Sequence, residues 1–457
     1  MKRGSILGGL LVGLIGWLGV VQAADRVLIM TIGEYERAPL PGARIDQQNA
    51  RDILKLLDVS PEHVRALADR QLDAASVKQA FVRLAEETQS GDRVFVFFSG
   101  HGTSRLIDGR CQQALIARDM RAVNPADINR ALNAIKDKAS RMVMVVDACH
   151  SGGVVGSVGD GLTRGGRRLR PKFVSPDNPS EQCSKPVNVV EEQIQTMRGT
   201  RGAPLSNNYL YIAAAQANEV AFDDPERGGL ATSSLLACLK SGSADKDQSG
   251  SVTFRELVQC AQGNIDDYVK GDPTIKSHHL QMSGNPDMPT VSRALPGGSA
   301  ADPVATLRDL QRGADSRWAV QLNAQPPKAK IGKEAFKLTL TSSESGYLTL
   351  LYVGSDGGEF MQLYPEVPGT PAPVAANVPF RLPDDYAAHG PVGVNHVLAI
   401  VSATPRDFSD VLGKQGAAPA SLATAGALQE SAHQRKKQPD QESALYGAAL
   451  IRLVEEK

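Results

Sequence analysis

The feature that most constrains the fold is a series of short apolar runs separated by stretches of helical periodicity. The runs occupy residues 27–33, 93–98, 141–146 and 209–214. Their hydrophobicity is continuous rather than alternating, as in strands that are buried on both faces of a parallel sheet. Apolar residues at helical spacing lie between the runs, as at Val77, Ala80, Phe81 and Leu84. The pattern predicts an α/β fold with a doubly wound, mainly parallel sheet flanked by helices.

Polar residues suited to chemistry follow two of these runs. His101 comes shortly after the second run, and Cys149 comes shortly after the third. The working site of a doubly wound sheet lies beyond the carboxyl ends of its strands. A cysteine nucleophile needs a base such as histidine, and the tetrahedral intermediate needs backbone N–H donors, here Gly102 and Cys149. The sequence therefore predicts a catalytic dyad of His101 and Cys149.

The segments VFVFFSGHG and VVDACHSGG resemble the histidine and cysteine motifs of the caspase-like cysteine peptidases, in their bacterial and metacaspase branch. LPGARIDQQNARDIL is similar to the first-helix motif of that family, and the resemblance extends over residues 27–290. The resemblance implies a cysteine endopeptidase that acts through a thioacyl intermediate and needs no cofactor for its chemistry. The class that competes with it is a catalytically silent caspase-like module that binds peptides in the cell envelope.

The same resemblance implies a substrate pocket formed by Asp46, Ser99 and Asp147. Carboxylates in a desolvated pocket favour a guanidinium or an ammonium group, so we expect polypeptide substrates cleaved after Arg or Lys. Ile45 and Gln47 depart from the residues common in the family, which leaves the detailed shape of the pocket open. Alternatively, Asp46 caps the helix that follows it, and Asp147 only orients a backbone turn.

A basic segment follows the nucleophile, inside a stretch (152–206) that is rich in Gly, Arg, Ser and Pro and predicts a long mobile loop. If the pocket accepts basic residues, this segment is a candidate for self-cleavage; the alternative is an ordinary solvated run of charge. The candidate residues for self-cleavage are Arg164, Arg167, Arg168 and Arg170.

A second motif is independent of the dyad and fits the loop of an EF-hand. Oxygen ligands stand at the expected positions, glycine occupies position 6 as Gly250, and a helical pattern follows. The alternative is an inherited turn whose side chains cap that helix. His278 and His279 lack the spacing of a zinc site. The candidate calcium ligands are Asp245, Asp247, Ser249, Ser251 and Glu256.

The N-terminal residues 1–23 have the charge and apolar run of a signal peptide, with a membrane anchor as the alternative. We expect export to the periplasm or the medium, without stable membrane insertion after cleavage. In an oxidising compartment the odd count of five cysteines leaves at least one free thiol, for which Cys149 is the candidate. Cys238 with Cys260 and Cys111 with Cys183 are possible pairs. A formal net charge of zero argues against nucleic-acid binding.

The composition changes after residue 292. Residues 293–315 predict a linker, and 316–457 predict a β-sandwich-like domain with a disordered insert near 413–443 and a last strand after it. This region weakly resembles a domain of unknown function that is often appended to bacterial caspase-like proteins. It implies no chemistry. The peptidase domain is expected at 24–292.

Overall fold

The fold is given by a computed structural model of the 457-residue chain. It describes residues 24–107, 110–149, 162–164, 167–174, 208–216, 219–270, 277–291, 301–315, 318–413, 415–432 and 446–457. The predicted signal peptide lies outside these ranges. Within them, none of the helices is long and apolar enough to cross a membrane.

The first part of the chain alternates strands and helices, as its periodicity predicts. The helices are α1 (Ala43–Leu56), α2 (Ala74–Glu87), α3 (Pro125–Lys136), α4 (Leu230–Ser241) and α5 (Phe254–Val269), with short 3₁₀ turns at Pro61–His63 and Asp69–Gln71. The strands are β1 (Asp25–Thr31), β2 (Val64–Ala68), β3 (Arg93–Ser99), β4 (Gly102–Ile107), β5 (Arg110–Leu115), β6 (Arg141–Asp147), β7 (Leu162–Arg164), β8 (Arg167–Pro171), β9 (Tyr209–Ala213), β10 (Phe222–Asp224), β11 (Gly228–Gly229), β12 (Val252–Thr253), β13 (Gln281–Gly284) and β14 (Pro289–Val291).

The main sheet has six strands in the order β13-β9-β6-β3-β1-β2. All neighbours run parallel except the edge strand β13, which is antiparallel to β9. The four apolar runs are β1, β3, β6 and β9, and each lies inside this sheet. One apolar cluster joins the sheet to α1, α4 and α5, and another joins its opposite face to α2 and α3. The predicted doubly wound fold is confirmed.

Part of the stretch predicted as a mobile loop is ordered instead. The strands β7 and β8 form a hairpin, and β8 pairs with β10 in a small sheet of the order β11-β10-β8-β7. The prediction is wrong for residues 162–164 and 167–174, because β8 finds a backbone partner in β10 that lies far away along the chain. The remaining residues of the stretch lie outside the described part.

The second part of the chain is β-rich. Its strands are β15 (Val320–Gln325), β16 (Lys328–Lys330), β17 (Ala335–Ser342), β18 (Gly346–Val353), β19 (Glu359–Tyr364), β20 (Pro373–Val374), β21 (Phe380–Arg381), β22 (Tyr386–Ala387), β23 (Gly393–Ser402), β24 (Ala417–Pro419) and β25 (Tyr446–Glu456). One sheet centres on β17, and a larger one runs β16-β25-β23-β18-β19-β24. The two share one apolar cluster, as in a sandwich. The predicted last strand is β25, which pairs with β23 along its length.

Helices cover the outer face of the larger sheet, and two of them lie where the sequence predicts a linker and a disordered insert. They are α6 (Pro303–Arg312), α7 (Ser409–Leu412) and α8 (Leu422–Ala432). The predicted linker contains α6, whose Leu307 and Leu310 are fully buried against this sheet. The predicted disordered insert contains β24 and α8, where Leu428 is fully buried. Each segment has an apolar face that it buries against the sheet.

The disulfide between Cys238 and Cys260 is present and joins α4 to α5, as one of the predicted pairs. Cys149 is free and buried. The other predicted pair, Cys111 with Cys183, cannot be placed, because those side chains lie outside the described residues.

Candidate active site

The two predicted dyad residues lie at the carboxyl ends of adjacent strands. Ser99 is the register partner of Asp147 where β3 and β6 end. His101 and Cys149 each lie two residues beyond the end of these strands, and both are fully buried. The topology therefore brings the predicted base and the predicted nucleophile to the same edge of the sheet, as a parallel arrangement requires.

One hydrogen bond fixes the protonation pattern of the His101 ring. Its Nε2 lies 2.6 Å from the carbonyl oxygen of Ala38, which can only accept, so Nε2 carries the proton. Ala38 adopts a left-handed backbone with φ of 56°, which is uncommon for a residue with a Cβ. Among the described residues the Nδ1 atom has no hydrogen-bond partner. Nδ1 is thus the nitrogen with a free lone pair, and it can accept a proton.

Burial keeps the imidazole neutral. It lowers the pKa of His101 to about 4, against weaker opposing effects of the Ala38 and Lys172 backbones. The side chain of Tyr35 holds the ring from one side, with the ring centroids 4.5 Å apart, and the Tyr35 hydroxyl accepts the backbone N–H of His101. The same hydroxyl donates to the carbonyl of Ile116. A neutral, fixed imidazole is suited to act as a general base.

The thiol of Cys149 is protonated in this arrangement. Burial raises its pKa to about 12, although the backbone of Ala221 partly offsets the effect. The Sγ–H group donates to the Ala221 carbonyl at 3.2 Å, and the Ala221 N–H donates to Sγ at 2.9 Å. The thiol and the imidazole are therefore both neutral at pH 7 in this structure.

A single carbonyl occupies the predicted oxyanion position. The oxygen of Lys172 accepts hydrogen bonds from the Gly102 N–H at 3.0 Å and from the Cys149 N–H at 3.1 Å. A Cβ at residue 102 would collide with the carbonyl oxygen of Cys149, so only glycine allows this approach. The two donors predicted from the sequence thus converge on one point.

The side chain of Lys172 enters the predicted substrate pocket. Its ammonium lies 2.9 Å from Ser99 Oγ, 3.1 Å from Asp46 Oδ2 and 3.0 Å from Asp147 Oδ1. All four side chains are fully buried. Burial alone would lower the pKa of Lys172, but Asp147 and Asp46 outweigh it and hold that pKa above its ordinary value. The pocket therefore accommodates a buried ammonium ion as a cation.

The two pocket carboxylates have different second roles. Asp46 does not cap α1, whose N-cap is Gly42 without a side-chain bond; it accepts the N–H of Gly229 instead. The capping alternative is therefore wrong for Asp46. The other oxygen of Asp147 accepts the N–H and hydroxyl of Thr232 at the start of α4, so Asp147 does orient a turn as well. Burial, and then the charge of Asp147, raise the pKa of Asp46 despite the nearby lysine.

The residue in the pocket is not one of the four arginines singled out from the sequence. Arg170 is half-buried, and its guanidinium donates to the carbonyl of Pro39 at 3.3 Å. The side chains of Arg164, Arg167 and Arg168 lie outside the described residues. Lys172 is the last residue of the same basic segment. In the sequence, only its place in a basic segment after the nucleophile pointed to a role at the site.

The segment around Lys172 crosses the site in an extended form. Its N–H donates to the carbonyl of Ala221 at 3.0 Å, next to the pairing of β8 with β10. On the other side of the Lys172–Phe173 bond, the N–H of Val174 donates to the carbonyl of Gly102 at 3.1 Å. Hydrogen bonds on both sides thus hold the chain straight across Cys149.

The EF-hand-like loop brings together only some of its predicted ligands. Carboxylate oxygens of Asp245, Asp247 and Glu256 lie within 4.8 Å of one another. Gly250 has φ of 80°, the left-handed conformation expected at position 6. The hydroxyls of Ser249 and Ser251 instead donate to Asp309 of α6, at 2.7 and 3.1 Å. Three of the five predicted ligands therefore lie together, while the two serine hydroxyls bond to Asp309.

Comparisons with known proteins agree with this architecture. The family described as "Caspase domain" matches residues 24–284, and a domain of unknown function (DUF4384) matches 329–405. Metacaspase-6 of Arabidopsis thaliana is 25% identical over 224 residues, which cover 46% of this chain and 56% of the relative. Metacaspase-9 of the same plant is 22% identical over 147 residues, covering 30% of this chain and 45% of the relative. The chain thus spans about half the length of these relatives.

Solved structures give a further likeness at low identity. A protein from Geobacter sulfurreducens is 16% identical, with a TM-score of 0.37, and covers 57% of this chain and 92% of that one. Caspase-1 from Spodoptera frugiperda is 12% identical, with a TM-score of 0.37, and covers 57% of this chain and 87% of that one.

Proposed function

Because this chain belongs to the caspase family of cysteine peptidases, matched over residues 24–284, we propose that it is an endopeptidase that hydrolyses polypeptides after lysine or arginine. The observation that carries the proposal is Lys172. Its side chain lies among the pocket carboxylates while its carbonyl oxygen accepts from the two N–H groups next to the thiol. That is the arrangement a bound substrate needs before attack.

The chemistry then follows from the residues in place. The thiol leaves the Ala221 carbonyl, His101 Nδ1 takes its proton, and Sγ bonds to the carbonyl carbon of the basic residue. The N–H groups of Gly102 and Cys149 hold the resulting oxyanion. The C–N bond breaks as His101 returns the proton to the leaving amine, and a thioester remains on Cys149. Water, deprotonated by His101, hydrolyses the thioester and restores the thiol.

We also propose that the first bond cut is in the chain itself, between Lys172 and Phe173. Incubation of the full chain should yield a fragment that begins at Phe173, detected by intact mass and N-terminal sequencing. Cys149→Ala should stay whole, and Lys172→Gln should lose the cut because an amide cannot replace the ammonium between two carboxylates. Arg170→Gln is the matched control and should be cut normally. A cut after Arg170 with Lys172 intact would contradict this assignment.

The test of the endopeptidase itself uses reporter peptides that differ only in the residue before the reporter group. The full chain should release the reporter after Lys and Arg but not after Asp. Gly229→Ala should reduce that release about tenfold or more, because a methyl group there would collide with the Asp147 carboxylate and with the ammonium position. Its backbone (φ −60°, ψ 137°) suits alanine, so the clash falls on the pocket side chains, and circular dichroism of the variant checks that the fold is retained. Turnover that persists in Cys149→Ala, or a failure of the wild-type chain to cleave any of the peptides, would contradict the proposal.

Export is proposed for the same protein. The disulfide between Cys238 and Cys260 supports it, because such bonds persist mainly in oxidising compartments. Cell fractionation should find the mature chain in the periplasm or the medium, beginning near residue 24. A chain that stays in the cytoplasm with its first residues intact would contradict the proposal.

A further inference from the structure

Ala24, the first described residue, is fixed through both polar groups of its backbone. Its carbonyl oxygen accepts the N–H of Arg93 at 3.0 Å, and its own nitrogen donates to Oδ1 of Asp92 at 2.7 Å. Ala24 directly precedes β1, whose first residue pairs with the first residue of β3. Its nitrogen therefore lies at the amino ends of the parallel strands, at the edge of the sheet opposite the proposed active site.

The carboxylate that receives this nitrogen is buried. The side chain of Asp92 has no exposed surface, and its second oxygen accepts hydrogen bonds from the guanidinium of Arg26 and from the N–H of Gln89. The neighbouring Arg93 has a carboxylate partner of its own in Asp25. A buried carboxylate is costly unless cationic groups and hydrogen bonds compensate it, and Oδ1 faces the nitrogen of the chain start. A positive charge on that nitrogen would therefore be stabilised.

The sequence predicts that this nitrogen is where the chain is processed. The predicted signal peptide ends at residue 23, and Ala23 supplies the small residue before the bond to Ala24. A signal peptidase would break the C–N bond between these two alanines with one water. The oxygen of the water completes the carboxylate of Ala23, and its two protons convert the amide N–H of Ala24 into an ammonium group. An α-amine with a pKa near 8 is mostly protonated at neutral pH.

We propose that Asp92 is the binding site for the α-ammonium group of the mature chain, which removal of residues 1–23 creates. The inference rests on the export proposed above and gives it a structural consequence. Processing turns a neutral hydrogen bond to a buried carboxylate into an ion pair, and such charge-assisted bonds are roughly twice as strong. A cut one residue later, after Ala24, would remove the atom that contacts Asp92. The mature chain is therefore more stable than a chain whose residue 24 nitrogen is still an amide.

The first experiment compares two forms of the mature chain that begins at Ala24, both with Cys149→Ala so that no self-cleavage intervenes. One form has a free amine and the other is acetylated, which keeps the N–H donor but removes the charge. The free form should melt about 2 °C higher or more at pH 6. Asp92→Asn should abolish this difference, because an amide side chain carries no charge. Asp58→Asn, which changes an exposed carboxylate at the same end of the sheet, is the matched control and should keep it.

The second experiment measures how fast an amine-specific reagent labels the α-amine at pH 7, by mass spectrometry of the N-terminal peptide. Labelling of the chain that begins at Ala24 should be at least about fivefold slower than that of a chain that begins at Ala23, because pairing with a carboxylate holds the proton on the amine. Both chains begin with alanine, so the reactivity of the residue itself is matched. If Asp92→Asn fails to fold, this comparison and the acetylation comparison still decide the question.

The outcomes separate the inference from the proposed export and peptidase function. Equal melting temperatures of the free and acetylated chains, or equal labelling of the two amines, would overturn the inference and leave both proposals standing. N-terminal sequencing of the exported chain should give Ala24 first, and a chain that begins at Asp25 would overturn the inference as well. A chain that keeps residues 1–23 in the cytoplasm would instead count against export, and the inference would fall with it.

Discussion

At the scale of single residues, the site holds its two reactive groups in a neutral resting state. The imidazole of His101 has a pKa near 4 and the thiol of Cys149 has a pKa near 12, both because burial disfavours their charged forms. The Sγ atom is hydrogen-bonded to the backbone of Ala221 rather than to the imidazole. The segment that carries Lys172 thus both resembles a substrate and shields the thiol from water.

This state predicts slow chemical labelling of the thiol. In a His101→Ala chain, which cannot cut itself, alkylation of Cys149 at pH 8 should be at least about a hundredfold slower than that of glutathione, because only thiolate reacts. The rate should rise steadily between pH 7 and 10 without levelling off, since the pKa of about 12 lies above that range. Peptide mass spectrometry of the Cys149 peptide gives the rate, and the same chain in urea is the control. Fast labelling that levels off near pH 9 would contradict the buried thiol.

The residues that could be found from the sequence are those that follow strands directly. His101 and Cys149 lie within two residues of strands whose apolar runs are plain, so their meeting at one sheet edge could be predicted. Ala38 and Lys172 could not be predicted in this way. Each reaches the site from a segment distant in sequence, through a backbone carbonyl that any residue type could offer.

At the scale of elements, the loop before α5 combines a capping motif with a cluster of three carboxylates, those of Asp245, Asp247 and Glu256. Glu256 accepts the N–H of Thr253 with one oxygen, and the N–H groups of Lys246 and Asp247 with the other. The capping interpretation is therefore confirmed for Glu256, which also belongs to the carboxylate cluster. Three clustered carboxylates repel one another in the absence of a cation. We propose that this loop binds calcium.

Calcium should therefore stabilise the chain. Saturating calcium should raise the melting temperature of the full chain by about 3 °C or more, since a ligand that binds only the folded state adds to its stability. Asp245→Asn should remove most of this rise, because that carboxylate is one of the three in the cluster. Asp267→Asn, on the exposed face of α5, is the matched control and should keep it. A rise of the same size in both variants would show that calcium acts elsewhere.

Three elements of the fold lie in stretches whose composition predicts loops. The hairpin β7–β8, helix α6 and helix α8 lie in stretches rich in Gly, Ala, Ser or Pro, which argue for loops. For α6, local signals were present: Asp302 caps it, and Pro303 stands at its first turn. What decided the outcome was burial against the larger sheet, which no local pattern reveals.

At the scale of the whole molecule, helix α6 joins the peptidase part to the β-rich part. Asp309 accepts hydrogen bonds from the hydroxyls of Ser249 and Ser251 in the loop before α5, and the Thr306 hydroxyl donates to the carbonyl of Ser249. The other face of α6 packs on the larger sheet through Leu307 and Leu310. The α/β fold of the first part and the β-rich fold of the second can be predicted from local periodicity. Their junction depends on a few polar contacts that cannot be predicted from the sequence.

The charge state of Asp309 should therefore control how firmly the two parts hold together. Burial raises its pKa to about 6, assisted by the charges of Asp247 and Glu256 and opposed by the two serine hydroxyls. In the unfolded chain it titrates near 4. The folded state binds the Asp309 proton more tightly than the unfolded state does. The stability gained from this difference is complete below about pH 4 and is lost as the pH rises through about 6. The loss amounts to at most about 3 kcal/mol.

The variant Asp309→Asn keeps the shape but cannot ionise. Its melting temperature relative to wild type should rise from pH 4 to pH 7, because only the wild type acquires a buried charge there. Loss of the ion pair with Arg312 should offset little of this, since the arginine is 47% exposed. The N-cap of α6 is tested separately by Asp302→Ala. Loss of this cap should lower the free energy of unfolding by about 1 kcal/mol. The contradicting outcome is an Asp309→Asn chain that is less stable than wild type by the same amount at pH 7 and at pH 4. The carboxylate would then stabilise the junction as an ion, and the assignment of a costly buried charge would be wrong.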